Sequence, residues 1–211
     1  MVKGLPPTLE EERGLLAQGY SLVAGVDEVG RGALAGPVAA AAVVLPLERD
    51  LPWFRGVRDS KLLTPKQRED LFPLILEQAV SVGVALVPVE DIDGRGILRA
   101  TRLAMRLALE RMSLSPQFLL IDGMRLPQVR LPQKGIVRGD RLCLSIACAS
   151  IVAKVTRDRV MVELDGQYPG YGLAAHKGYG TREHLSCLQS LGASPIHRRS
   201  FAPVRRLSAL V

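Results

Sequence analysis

Two adjacent carboxylates, Asp27 and Glu28, close a short apolar run and lead directly into a glycine-rich turn. A third, Asp122, ends a later apolar run and is also followed by glycine. A fourth, Asp140, follows Arg138-Gly139 just ahead of a stretch of small apolar residues. Taken singly, an acidic residue before glycine is ordinary turn chemistry. Taken together, clustered oxygens without histidine or cysteine companions suit a hard cation such as Mg2+ or Mn2+. Paired ions of that kind hydrolyse phosphodiesters. Neighbouring strand residues point to opposite faces, so Asp27 and Glu28 cannot share an ion from an ideal strand, and a bend or bulge at Glu28 is expected to swing its carboxylate round the rim.

Phosphate-binding features stand close by. Gly30-Arg31-Gly32 permits close backbone approach, and Arg31 adds a planar fork for phosphate oxygens. It lacks the full dinucleotide fingerprint and its helix. Lys61, in Asp59-Ser60-Lys61, can neutralise a phosphate, although a solvated loop lysine reads the same way. Tyr179, in His176-Lys177-Gly178-Tyr179, can stack on a base or sugar, or simply pack. His176, His184 and His197 lack ligand spacing. Arg95, Arg99, Arg102 and Arg106 form one helical stripe, first of all a solvated face with Ala104 and Leu107 turned inward.

The elements that must position these residues alternate. Strands are expected over 20–26, 38–45, 82–89 and 118–122. Thr64-Pro65-Lys66-Gln67 reads as a capping box opening a helix to about Gln78. Further helices are expected over 97–112, from about 146 onward, and over 181–191. An initial strand pair followed by alternation predicts an α/β sandwich with a mixed sheet. The whole chain, 1–211, reads as a single domain with a short basic C-terminal appendage from about 192.

Composition narrows the partners. Of 211 residues, 47% are hydrophobic and 23% charged, and 28 Lys+Arg against 21 Asp+Glu give a net charge of +7. That excess suits a polyanion. Three cysteines without a paired spacing argue against a disulfide framework or a zinc site. No stretch reads as a signal peptide or a membrane span, so a cytoplasmic protein with no membrane association is expected.

In combination these segments resemble the ribonuclease HII family, type 2 ribonucleases H. The resemblance runs through Val26-Asp27-Glu28-Val29-Gly30-Arg31-Gly32, Asp59-Ser60-Lys61, Leu120-Ile121-Asp122-Gly123 and Gly139-Asp140. It continues through 149–158 (Ala149-Ser150-Ile151-Val152-Ala153-Lys154-Val155-Thr156-Arg157-Asp158), His176-Lys177-Gly178-Tyr179 and His197-Arg198-Arg199-Ser200-Phe201. It implies a ribonuclease H-like fold, a mixed five-stranded sheet flanked by helices. It implies Asp27, Glu28, Asp122 and Asp140 as metal-binding catalytic carboxylates. Gly30, Arg31 and Gly32 would meet the ribonucleotide's 2′-hydroxyl, Tyr179 the neighbouring deoxyribose, and Lys61 a phosphate. The implied substrates are RNA–DNA hybrids and duplex DNA containing a ribonucleotide, cut by a monomer 5′ of the ribonucleotide to leave 3′-hydroxyl and 5′-phosphate ends. Ribonucleotide excision from DNA is the implied role. The chain departs from the family's pattern at Ala33, Leu62, Gly96 and Arg138, where proline, lysine, asparagine and lysine are usual; Arg138 keeps its charge, and Leu62 and Gly96 bear on substrate affinity rather than on the reaction. The competing readings are a same-fold nuclease cutting DNA, and a non-catalytic hybrid-binding module.

Overall fold

The computed structural model describes residues 6–208. In chain order the elements are α1 (Glu10–Leu16), β1 (Val23–Val29), β2 (Val38–Val44), α2 (Pro65–Gln78), β3 (Ser81–Val87), α3 (Val89–Arg95) and α4 (Ile97–Glu110). They continue with β4 (Phe118–Asp122), β5 (Gln133–Ile136), α5 (Leu144–Gln167), α6 (Leu173–His176), α7 (Arg182–Leu191) and α8 (Ala202–Ser208). The five strands form one mixed sheet in the order β3-β2-β1-β4-β5. β1 pairs antiparallel with β2 and parallel with β4. The expected ribonuclease H-like arrangement is therefore present.

Helices cover both faces, so the central strands are apolar on both sides. In β2 every residue is buried: Ala40 and Ala42 face α4, whereas Ala41 and Val43 face α5. Four consecutive alanines let both helices approach closely. The fit against α5 is close at Gly25, where an added Cβ would lie 2.2 Å from the backbone of Ser145. The Thr64 capping box forms as expected: Thr64 accepts from Gln67 N–H, and the Gln67 side chain accepts from Thr64 N–H.

The segment 196–198 is more than a surface appendage. His197 is 1% exposed and Arg198 0%. Ala35 forms a bridge with His197, and Arg198 N–H donates to Leu34 O at 2.8 Å. The three cysteines are free, with Cys143 and Cys148 buried as apolar fillers. Among the described residues no helix is long and apolar enough to cross a membrane.

Candidate active site

The parallel pairing of β1 with β4 sets the corner. Val26 stands level with Ile121, and both belong to the core beneath α4. One residue further along each strand the side chains turn to the α5 face. Asp27 and Asp122 thus emerge side by side at the rim. The bulge expected at Glu28 is absent: the ladder with β2 runs on through Glu28↔Ala40 and Val29↔Ala39. Glu28 is instead one step nearer the strand end, and its longer side chain brings its charge within electrostatic reach of Asp122 and Lys61. The shared corner needs no backbone irregularity.

Asp140 arrives by a different route. After β5 the chain turns through Arg138, whose φ of 57° is left-handed, into a short helical turn, Gly139–Arg141. Gly139 N–H donates to Asp122 Oδ1 at 2.6 Å, which ties this turn to the β4 carboxylate. Asp140 lies 3.7 Å from Lys61 Nζ. Buried Asp59 holds the Lys61 loop by accepting from Lys61 N–H at 3.0 Å and from Arg141 Nε at 3.1 Å. The four expected carboxylates and Lys61 are therefore neighbours.

Electrostatics describes a corner short of positive charge. Burial, then the charges of Glu28 and Asp122, pushes the Asp27 carboxyl well above its ordinary value, against a hydrogen bond from Ser150. Burial also raises Glu28, although Arg31 opposes it from 3.2 Å. Asp140 is raised by burial and by the charges of Asp59 and Asp122. Burial pulls the Lys61 ammonium down, but the surrounding carboxylates outweigh it and hold it above its usual value.

Each carboxylate has taken a donor away from the common centre. Asp27 Oδ1 accepts from Glu28 N–H at 2.8 Å, Asp122 faces Gly139, Glu28 faces Arg31 and Asp140 faces Lys61. Consequently, among the described residues, no three His, Cys, Asp or Glu side chains close into a ready-made ion cage. Mutual repulsion of like charges accounts for that splay. Glu28 Oε2 is buried without a hydrogen-bond partner. An orphaned carboxylate oxygen within an all-oxygen donor set fits a hard divalent cation.

The loop over 30–37 stands beside this corner, packed between two other segments. Leu34 N–H donates to Gly178 O at 2.7 Å, and Ala33 bridges Tyr179. Tyr179 and the Gly30-Arg31-Gly32 turn thus share one wall. Ala33 N–H reaches Gly30 O at 3.3 Å, a bond that the family's usual proline would lack. Gly96 joins α3 to α4 at φ 79°, which suits glycine. The four arginines do not share one helix: Arg95 ends α3, and Arg99, Arg102 and Arg106 follow on α4 after the break at Gly96, across the sheet from Asp27. Arg95 pairs with Asp91 within α3 and Arg106 with Glu110 within α4.

Sequence reasoning missed the residues that hold the site from behind. Ser150 links Asp27 to Ser60 through a 2.9 Å hydroxyl contact. Arg157 and Arg198, both 0% exposed, donate to the loop's carbonyls. The histidines, not spaced as ligands, form a row: His176 stacks on His184 at 4.3 Å, and His184 Nε2 lies 3.0 Å from His197 Nε2.

The family model described as Ribonuclease HII matches residues 24–204. A ribonuclease HII from Dehalococcoides mccartyi (strain ATCC BAA-2266 / KCTC 15142 / 195) is 54% identical over 207 residues, 98% of this chain and 98% of its own. Among solved structures, the ribonuclease H2 from Pyrococcus horikoshii OT3 superposes with a TM-score of 0.75 at 28% identity, covering 89% of this chain and 97% of that one. The Bst-RNase HIII solved in complex with Mn2+ shares the fold at a TM-score of 0.64 and 20% identity, over 92% of this chain and 71% of that one.

Proposed function

The chain belongs to the ribonuclease HII family of metal-dependent ribonucleases H, and from that premise we propose that it cuts the RNA strand of RNA–DNA hybrids and the 5′ side of single ribonucleotides in duplex DNA. The products are a 3′-hydroxyl and a 5′-phosphate, and the role is excision of ribonucleotides from DNA. The observation that carries this reading is the gathering of Asp27, Glu28, Asp122 and Asp140 at one rim, beside Lys61 and the Arg31 loop.

Asp27, Glu28, Asp122 and Asp140 would hold Mg2+ or Mn2+. The chemistry such ions supply when bound is a lowered pKa for the attacking water and neutralisation of charge on the leaving oxygen. The protein's own groups do the rest. Lys61, with its side chain 76% exposed, is free to swing from Asp140 to a substrate phosphate. Arg31 sits at the mouth, its side chain 45% exposed and loosely paired to Glu28. The turn around it offers backbone donors to the ribose 2′-hydroxyl, the group that separates RNA from DNA. Tyr179, held against the same loop, presents a ring to the adjoining sugar.

The test is a duplex carrying one ribonucleotide, incubated with Mg2+, Mn2+ or chelator, beside an all-DNA duplex. Cleavage 5′ of the ribonucleotide, dependent on the ion and absent from the control, is expected. Cutting of the control would assign the chain to DNA instead. Metal-independent retention of both duplexes without turnover would make it a binding module.

A further inference from the structure

Behind the 30–37 loop lie two buried guanidiniums with no carboxylate. Arg198 Nη1 donates to Arg31 O at 3.0 Å, its Nε and Nη2 to Gly36 O at 3.0 and 2.8 Å, and Nη2 also to Pro37 O at 3.1 Å. Arg157 reaches Pro37 O at 2.8 Å, Ala35 O at 3.1 Å and Lys177 O at 2.8 Å. Neither forms an ion pair among the described residues. Sealing two cations side by side is costly, and an apolar pair of similar volume would be cheaper. What the arginines provide, and apolar residues cannot, is a fixed direction for five carbonyl groups.

That direction matters most at residue 31. A trans peptide holds its C=O and the following N–H antiparallel, and the described chain has no cis bond. With Arg31 O drawn inward to Arg198, the Gly32 N–H must point outward. Gly32 is exposed, and its N–H has no acceptor among the described residues. We infer that Arg198 is a positioning residue for sugar recognition: by pinning the Arg31 carbonyl it holds the Gly32 N–H toward the substrate, preformed as a donor for a ribose hydroxyl. Arg157 braces the base of the loop, and its hydrogen bonds go to Pro37, Ala35 and Lys177, not to residue 31. This inference rests on the ribonuclease reading proposed above.

The experiment measures affinity in chelator for a one-ribonucleotide duplex and for its all-DNA counterpart, with thermal unfolding to check folding. Arg198→Lys keeps the charge but loses the fork. It should lower the ribonucleotide preference about tenfold, the worth of one well-aligned hydrogen bond, and leave all-DNA affinity unchanged. Arg157→Lys should keep the preference. A folded Arg198→Lys with wild-type preference, equal losses on both duplexes, or an equal collapse in Arg157→Lys would each overturn the assignment. If Arg198→Lys does not fold, Gly32→Pro removes the donor itself; a Cβ there meets nothing within 4 Å. A Gly32→Pro protein retaining the preference would also overturn it. Wild-type protein lacking any preference would instead sink the ribonuclease reading.

Discussion

Asp27 is 4% exposed and faces two other carboxylates, so its ionised form is held at a cost. The folded pKa values of Asp27, Glu28 and Asp140 all lie above their ordinary values. The metal-free fold therefore keeps protons that the unfolded chain releases. The contribution of these three groups to stability is greatest below the ordinary carboxylate range and declines as pH rises through the raised values. Asp27→Asn should thus raise the stability of chelated protein near neutrality by roughly 1–2 kcal/mol and add nothing in acid, as read by thermal unfolding. Asp122→Asn should reduce cleavage by at least about a hundredfold while hybrid affinity in chelator holds within about twofold, because phosphate contacts lie elsewhere. Near-normal turnover would remove Asp122 from the chemistry. Asp27, Glu28 and Asp122 stood out as candidates because acids that end apolar runs and lead into glycine mark a rim, and the β1–β4 pairing does bring them to one corner. Asp140 and Lys61 lie in short turns, where no such pattern marks them. Arg157 and Arg198 were not legible, since a guanidinium on backbone carbonyls leaves no partner residue to read.

At the level of elements, the site depends on how closely α5 approaches β1. Gly25→Ala would drive a methyl into the Ser145 backbone and push the helix off the sheet. We expect a loss of about 3 kcal/mol or more by denaturant titration, together with reduced cleavage as Ser150 leaves Asp27. The histidine row joins α6, α7 and the 194–198 segment. Burial, then His184, lowers His197 to about 4, and burial also lowers His184. The unfolded chain takes up these protons first, so the histidines' contribution to stability is full above the ordinary histidine range and is lost as pH falls toward 4. Unfolding titrations across that range should show a decline of roughly 2 kcal/mol that His197→Asn reduces. Capped and apolar elements were readable, with α2 forming from its capping box. β5 was not: Gln133–Ile136 is short, polar and at the sheet edge, so no apolar alternation betrays it. The bulge was an over-reading, because alternation was applied to a strand end that the rim already frees.

For the molecule as a whole, the net charge of +7 predicts association dominated by phosphate contacts. The logarithm of the binding constant for a hybrid should fall linearly with log salt, at a slope of about −0.9 per phosphate engaged. A slope near zero would show that the surface charge is not used. The mixed sheet was legible as a class from alternating elements, but its strand order was not, because pairing over long separations leaves no local trace. The architecture also has a metric consequence. The single 24-residue α5 carries Ser150 at the level of Asp27 and Arg157 at the level of the loop. Their separation is set by helical rise, about 10 Å over seven residues. Under the proposed chemistry, the rod behaves as a ruler. The bond broken and the sugar inspected stay at a constant spacing, so the incision is phased to the ribonucleotide by backbone geometry alone.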